Sequence, residues 1–391
     1  MSLYLSDLAI INALGSGREA VLEGLLRGDQ SGMQPSETFL TGRSGWVGRV
    51  AAGLPGPDSD LSDYDCRNNR LLAAAAKQVE TEIEALKDAV GPARIAVLVG
   101  TSTSGIAEGE AAVEALENEG AMPAAYHYRQ QEIGTGAEFL ARYLGTGGPR
   151  YTISTACSSS AKAFASAQRL IAADFCDAAI VAGCDTLCRL TTNGFDSLES
   201  MSPRICNPFS VNRDGINIGE GAALFLLTKQ ESPIRLFGVG ESSDAYHMSA
   251  PEPSGKGAEL AIRAAIEDAG VAAADIAYIN LHGTATPRND AMESRVVERV
   301  FGLQTPCSST KSQIGHTLGA AGAQEIGLCW LLLSDANVNK SLPEHLWDGE
   351  PDPELPRIGL APQGATARGD VFMSNSFAFG GSNVSVVLGR S

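Results

Sequence analysis

Two stretches decide the fold: Arg94-Ile-Ala-Val-Leu-Val-Gly-Thr-Ser-Thr103 and Asp275-Ile-Ala-Tyr-Ile-Asn-Leu-His-Gly-Thr-Ala-Thr286. Each is an apolar run of β type that ends in glycine and small hydroxyl residues. Each follows a helical pattern, over 70–90 in the first case and 257–270 in the second. The elements that come next also correspond. Residues 151–171 read as a short strand, a Cys-Ser-Ser-Ser turn and an alanine-rich helix. Residues 306–333 read as a short strand, a Ser/Thr-Lys turn, a Gly/Ala-rich stretch and an apolar helix. The run from Asp177 through Cys184 pairs with the run from Asp370 through Phe377. Four elements agreeing in order predict two α/β halves on one plan, joined near 230–235. Continuous apolar strands alternating with amphipathic helices imply sheets covered by helices on both faces. Residues 104–144 show no counterpart in the second half and read as an inserted cap or dimer-contact element.

Composition narrows the function classes. The formal net charge is −17. That excess of acid disfavours nucleic acid and anionic membranes as principal partners, because both require a basic face. No run approaches the roughly 20 apolar residues of a membrane span. The N-terminus shows no basic segment ahead of a long apolar stretch. The eight cysteines contain no Cys-x-x-Cys pair, and Cys184 and Cys188 lack further ligands for zinc. Free thiols in a reducing, cytoplasmic setting are expected.

Four segments carry chemistry. Cys157 sits in Thr155-Ala-Cys-Ser-Ser-Ser-Ala161, at a strand–turn–helix elbow. There the positive end of the helix dipole is expected to favour thiolate. His282, in Asn280-Leu-His-Gly-Thr-Ala-Thr-Pro-Arg-Asn-Asp290, follows a strand, where ligands of open α/β sheets bind. His316 lies in Ser309-Thr-Lys-Ser-Gln-Ile-Gly-His-Thr-Leu-Gly319, a glycine-rich turn entering a helix. His127, His247 and His345 lack such settings and read as surface or structural. In Ser374-Asn-Ser-Phe-Ala-Phe-Gly-Gly-Ser-Asn383 the paired glycines are expected to leave backbone N–H groups free, as an oxyanion hole needs, with aromatics walling a channel.

Together these segments resemble the β-ketoacyl-ACP synthases of the type I/II class, within the thiolase-like condensing enzymes. A fifth stretch, Asn207-Pro-Phe-Ser-Val-Asn-Arg-Asp-Gly-Ile-Asn-Ile-Gly-Glu220, is similar too, and the likeness runs over nearly the whole chain. It implies a thiolase-like duplicated α/β/α/β/α layered fold, with halves at 1–231 and 232–391. It implies that Cys157 takes an acyl chain from an acyl carrier protein. The N–H groups of Cys157 and Phe379 would hold the oxyanion. His282 and His316 would polarise the malonyl thioester, with Lys311 and Glu325 as a charged network behind. Phe195, Phe377 and Phe379 would line the acyl pocket, Phe379 gating it. Neither a metal nor an organic cofactor is called for. A homodimer, or a heterodimer with a paralogous subunit, is expected. Arg67, Arg70, Arg129 and Arg204 are candidates for carrier docking.

Related branches separate from this chain. A thiolase needs a second active cysteine near the C-terminus, whereas the last here, Cys329, lies in an apolar helix. The Cys-His-Asn branches differ from the Cys-His-His found here, and a chain-length-factor subunit would lack the active cysteine. Two features depart from the usual pattern. The segment between Phe195 and Arg213 is short, and Ala378 stands where glycine is common, which should stiffen the gate. These departures point to a specialised synthase, such as one making polyene or polyketide-type chains. The alternatives are a subunit inactive alone and a thioester acyltransferase.

Overall fold

The computed structural model describes residues 1–54, 56–57 and 59–391. Its main sheet is built from ten strands: β1 (Leu3–Asn12), β2 (Ile95–Gly100), β3 (Arg150–Ile153), β4 (Ala178–Asp185), β5 (Gly221–Thr228), β6 (Ile234–Ser243), β7 (Tyr278–Asn280), β8 (Cys307–Ser308), β9 (Val371–Phe377) and β10 (Ser382–Arg390). The hydrogen-bonded order is β3-β2-β4-β5-β1 in one half and β8-β7-β9-β10-β6 in the other. Numbered within each half, both read 3-2-4-5-1. The directions repeat as well: the first three strands are parallel and the last two antiparallel. The internal repeat seen in the sequence is therefore a repeat of topology. A short antiparallel pairing of β1 with β6, Leu3 to Leu236 and Tyr4 to Arg235, joins the two half-sheets into one.

The helices used below are α1 (Arg67–Gln78), α2 (Ile106–Glu119), α3 (Thr135–Leu144), α4 (Ser159–Ala172), α5 (Arg189–Ser197), α6 (Lys256–Ala269), α7 (Pro287–Phe301), α8 (Lys311–Ile314) and α9 (Ala321–Leu333). Helices α4 and α9 touch each other and pack on strands of both half-sheets, so they form the central layer. Helices α1 and α3 cover the outer face of the first half-sheet, and α6 and α7 the outer face of the second. This gives five layers. Every residue of α9 is buried, which is why its sequence is apolar on all sides rather than along one stripe. Strands β2, β4 and β5 are buried throughout, as their unbroken apolar runs require.

The segment 104–144 corrects one expectation. Its last helix, α3, connects β2 to β3, and α7 connects β7 to β8 in the same way. Helix α3 buries Ala137, Phe139, Leu140 and Ala141 against the first half-sheet. It is the counterpart of α7, so the added piece is only the stretch before it, containing α2. The sequence hides this because α3 lacks the polar, strand-end loop that introduces α7.

Two close approaches place the site. A Cβ on Gly100, at the end of β2, would lie 2.3 Å from the Ser160 backbone. The start of α4 therefore sits directly on the strand end. Gly315 has φ 72° and packs against the backbone of Gly219, where a Cβ would come within 2.8 Å. The loop that carries His316 is thereby clamped to the small sheet of Met33–Ser36, Gly45–Gly48 and Ile218–Gly219.

Candidate active site

Cys157 stands in the turn between β3 and α4. Ala156 before it has φ 51°, a left-handed conformation that costs a non-glycine residue of order 1 kcal/mol or more. Each of the three following serines holds the turn in its own way. Ser158 Oγ donates to the Thr155 carbonyl at 2.8 Å and to Ser382 Oγ at 3.0 Å. Ser159 Oγ accepts from the Thr155 N–H at 2.8 Å, and Ser160 Oγ accepts from the Ala323 N–H of α9 at 2.8 Å. The sulfur is thus fixed to both halves of the molecule.

His282 and His316 reach the same point from the second half. The His316 N–H donates to the Asn217 carbonyl at 2.7 Å, and its carbonyl accepts from Gly219 at 2.9 Å. His316 Nε2 lies 3.0 Å from Cys157 Sγ. The reactive atoms of Cys157, His282 and His316 all lie within 4.8 Å of one another. The two imidazole rings meet edge to face, 5.4 Å between centroids. Ala285 (φ 63°) and Leu318 (φ 49°) give each histidine loop a strained residue, as Ala156 does for the cysteine.

Lys311, on α8, is buried behind this trio. Its Nζ donates to the His282 carbonyl and to Glu325 Oε1. Both charged groups are 1% exposed, so neither is solvated except by the other and by the His282 carbonyl. Two carboxylates escaped the sequence reading. Glu293 accepts the N–H groups of His282 (2.8 Å) and Gly283 (2.7 Å), and Asp290 accepts those of Phe209 (2.7 Å) and Ala285 (3.2 Å). Burial raises Glu293 to about 7 and Asp290 to about 6, against the opposing pull of those N–H groups. A signal was present: 289, 293, 296 and 297 share one face of α7, so Glu293 falls on the apolar stripe with Val296 and Val297. A carboxylate there must be a partner for something buried.

Burial, and next the charge of Lys311, hold both histidines well below their usual range, so both rings are neutral. The cysteine differs from expectation. Burial pushes its thiol up to about 11, opposed by the Lys311 charge and by the Phe379 N–H directed at the sulfur. Desolvation outweighs the start of α4, and the resting group is a thiol with His316 Nε2 in position to take its proton. Alkylation of Cys157 by iodoacetamide is therefore expected to speed up about tenfold per pH unit between roughly pH 7 and 9. A rate that levels near neutrality would show a stabilised thiolate instead.

The glycine pair is also corrected. The Gly380 N–H donates to Met248 at 2.7 Å and the Gly381 N–H to Ala378 at 3.0 Å, so neither is free. Their φ values of 81° and 74° turn the chain so that the Phe379 N–H faces the sulfur.

A cavity of about 290 Å³ opens above Sγ, lined by Cys157, His282, His316 and all three predicted pocket aromatics, Phe195, Phe377 and Phe379. Phe195, from α5, meets Phe379 at 5.4 Å between centroids. His345 is structural: buried, it accepts from the Ser309 N–H at 3.2 Å, and its Nε2 lies 3.0 Å from the Pro208 carbonyl. His127 and His247 are exposed. The docking candidates are mostly engaged within the fold. Arg67 forms a two-pronged pair with buried Glu220 at 2.6 and 2.8 Å, Arg70 pairs with Asp65 and Arg204 with Asp214, and Arg129 lies over Tyr64. Arg67 in particular is structural, because Glu220 is buried and needs it.

Sequence comparison agrees with this arrangement. Residues 63–232 match the family described as Beta-ketoacyl synthase, N-terminal domain, and residues 235–344 match Beta-ketoacyl synthase, C-terminal domain. A 3-oxoacyl-[acyl-carrier-protein] synthase 2 from Vibrio cholerae is 31% identical over 98% of each chain. The synthase 2 of Rhizobium meliloti is 38% identical, over 62% of this chain and 61% of that protein. The chain belongs to the β-ketoacyl synthase family, condensing enzymes with the thiolase-like fold. Among solved structures it is similar to the ketosynthase ApeO, determined in complex with its chain length factor ApeC from Xenorhabdus doucetiae. The TM-score is 0.96 at 48% identity, over all of this chain and 98% of that one.

Proposed function

We propose that this chain joins a Cys157-bound acyl group to the two-carbon unit of malonyl-ACP by decarboxylative Claisen condensation. The observation that carries the reading is the meeting of Cys157, His282 and His316 on the floor of one cavity, with the Phe379 N–H at the sulfur. In the first half-reaction Sγ attacks the carrier thioester carbonyl as its proton passes to His316 Nε2. The N–H groups of Cys157 and Phe379 hold the oxyanion. The carrier thiolate leaves and takes the proton back from His316. In the second half-reaction a malonyl thioester enters. Its bond to the carboxylate breaks, carbon dioxide leaves, and the electron pair becomes an enolate whose oxygen accepts from His282 and His316. The enolate carbon attacks the acyl-Cys157 carbonyl, the C–S bond breaks, and the β-ketoacyl product departs from a Cys157 thiolate. Neutral imidazoles serve here because they donate hydrogen bonds without quenching the carbanion. Lys311 and Glu325 keep His282 in place, and Phe379 gates the pocket it forms with Phe195 and Phe377. The division into a nucleophile half, 1–231, and a histidine half, 232–391, belongs to this reading.

The 48% identity to a ketosynthase solved with a chain length factor supports a heterodimer with a paralogous, non-catalytic chain, and a specialised polyene or polyketide-type pathway. Unpaired, buried cysteines suit a cytoplasmic enzyme, and no described helix is long and apolar enough to cross a membrane. The test is to incubate the protein, alone and with such a partner, with acyl-ACPs of graded length and unsaturation plus malonyl-ACP, and to follow intact masses. An acyl adduct on Cys157 followed by malonyl-dependent β-ketoacyl-ACP is expected. Adducts that hydrolyse or transfer without malonyl-ACP would favour the acyltransferase reading. No adduct with any donor, in either assembly, would overturn both.

A further inference from the structure

Arg288 is the one basic residue among those lining the catalytic cavity. It is exposed at the cavity rim, on the second residue of α7, and no described carboxylate lies within ion-pair distance of it. This is unlike its neighbours. Arg204 is paired with Asp214 at 2.9 Å, Arg213 with Asp352 at 2.6 Å, and Arg299 with Glu259 at 2.8 Å. The acids that follow Arg288 on the same helix, Asp290 and Glu293, are buried and committed to backbone N–H groups of the His282 loop and of Phe209. In a chain of net charge −17, acids are abundant and most arginines find one. A guanidinium left free at the mouth of the cavity that leads to Cys157 lacks an anionic partner within the protein.

We infer that Arg288 receives the phosphate of the phosphopantetheine arm through which carrier-bound thioesters reach Cys157. This deepens the condensing-enzyme reading and rests on it. The chemistry is specific. A guanidinium presents paired N–H donors that match two phosphate oxygens, which an ammonium does not reproduce. The first turn of α7 adds a weaker attraction for the same anion. The floor of the cavity is occupied by the reacting groups, so an anion in the middle of the arm is met at the rim. Because every thioester enters by this mouth, Arg288 serves both the loading and the extending substrate. It is a positioning residue, since it touches the arm and not the reacting carbon. The bland alternative, a solvated surface charge, predicts no dependence on phosphate.

The test compares two small malonyl thioesters, of 4′-phosphopantetheine and of pantetheine, which differ only in the phosphate. Both are assayed with acylated wild type, Arg288→Ala and Arg288→Lys. With the phosphorylated substrate, Arg288→Ala is expected to raise KM about tenfold with kcat little changed, the loss of one charge-assisted contact. Arg288→Lys should recover part of that, because it keeps the charge but not the fork. With the pantetheine thioester all three proteins should share one KM, and the wild-type preference for phosphate should weaken with added salt. Equal KM changes on both substrates would show a general effect on the rim and overturn the assignment. No change on either would leave Arg288 a solvated charge and overturn it too. A wild type that turns over neither thioester nor acyl- and malonyl-ACP would instead count against the condensing reading itself.

Discussion

Cys157→Ala is expected to lower condensation by more than about 10⁴-fold while carbon dioxide release from a malonyl thioester persists. The two half-reactions use different parts of the site, which is why they should separate. Acyl loading needs Sγ, and nothing else in the cavity can replace it, because the other seven cysteines lie outside the lining. Decarboxylation needs donors on the enolate oxygen. His282 and His316 are held by their own loops, the first through Glu293 and Lys311, the second through Asn217 and Gly219, and neither is held by the sulfur. Removing the sulfur therefore leaves the donors in place. His282→Ala should do the reverse in part: Cys157 still loads, and both decarboxylation and condensation fall by about 10²–10³-fold, the usual cost of one such donor. The measurement is carbon dioxide release and β-ketoacyl product from the same reaction, with intact mass to score loading. Loss of all three activities in Cys157→Ala would mean that the sulfur also organises the histidines, and the separation would fail.

The parts of this design that the sequence disclosed are those written as local pattern. The duplication was legible because both halves need an apolar strand ending in small residues, and the resulting topology, 3-2-4-5-1 twice, repeats the order of the four matched elements. Cys157, His282 and His316 were legible because each must stand at a strand end before a helix or tight turn. What was hidden depends on contacts between distant segments. The burial that raises the Cys157 thiol arises only when Phe379 and the histidine loops close over it. That Gly380 and Gly381 would use their own N–H groups follows from a partner at Met248, more than a hundred residues away. Arg67 reads as a free surface charge until Glu220 is brought beneath it. Glu293 and Asp290 look like the solvated face of a helix unless the apolar stripe is traced through them.

Lys311→Met is expected to cost about 3–5 kcal/mol of stability near pH 8, because it leaves a buried carboxylate without its partner. The loss should depend on pH, and its sign follows from Glu325. Burial raises that carboxyl to about 7 even with Lys311 beside it, and Lys311 is what lowers it, through its charge and its hydrogen bond. Without Lys311 the folded-state pKa rises further above the unfolded value. The folded variant then binds the proton more tightly than the unfolded chain does, so its stability falls as pH rises from the unfolded pKa toward the folded one. In acid, Glu325 is neutral and the deficit should shrink. Wild-type stability should change less over the same range. The double variant Lys311→Met/Glu325→Gln removes the stranded charge, so it should recover most of the stability and lose the pH dependence. It should not recover activity, because Lys311 Nζ also holds the His282 carbonyl, and neither methionine nor glutamine supplies that cation. Chemical denaturation at several pH values, beside condensation assays on the same samples, separates these effects. If the double variant regained both stability and turnover, the pair would be a structural element alone, and His282 would owe its position to Glu293.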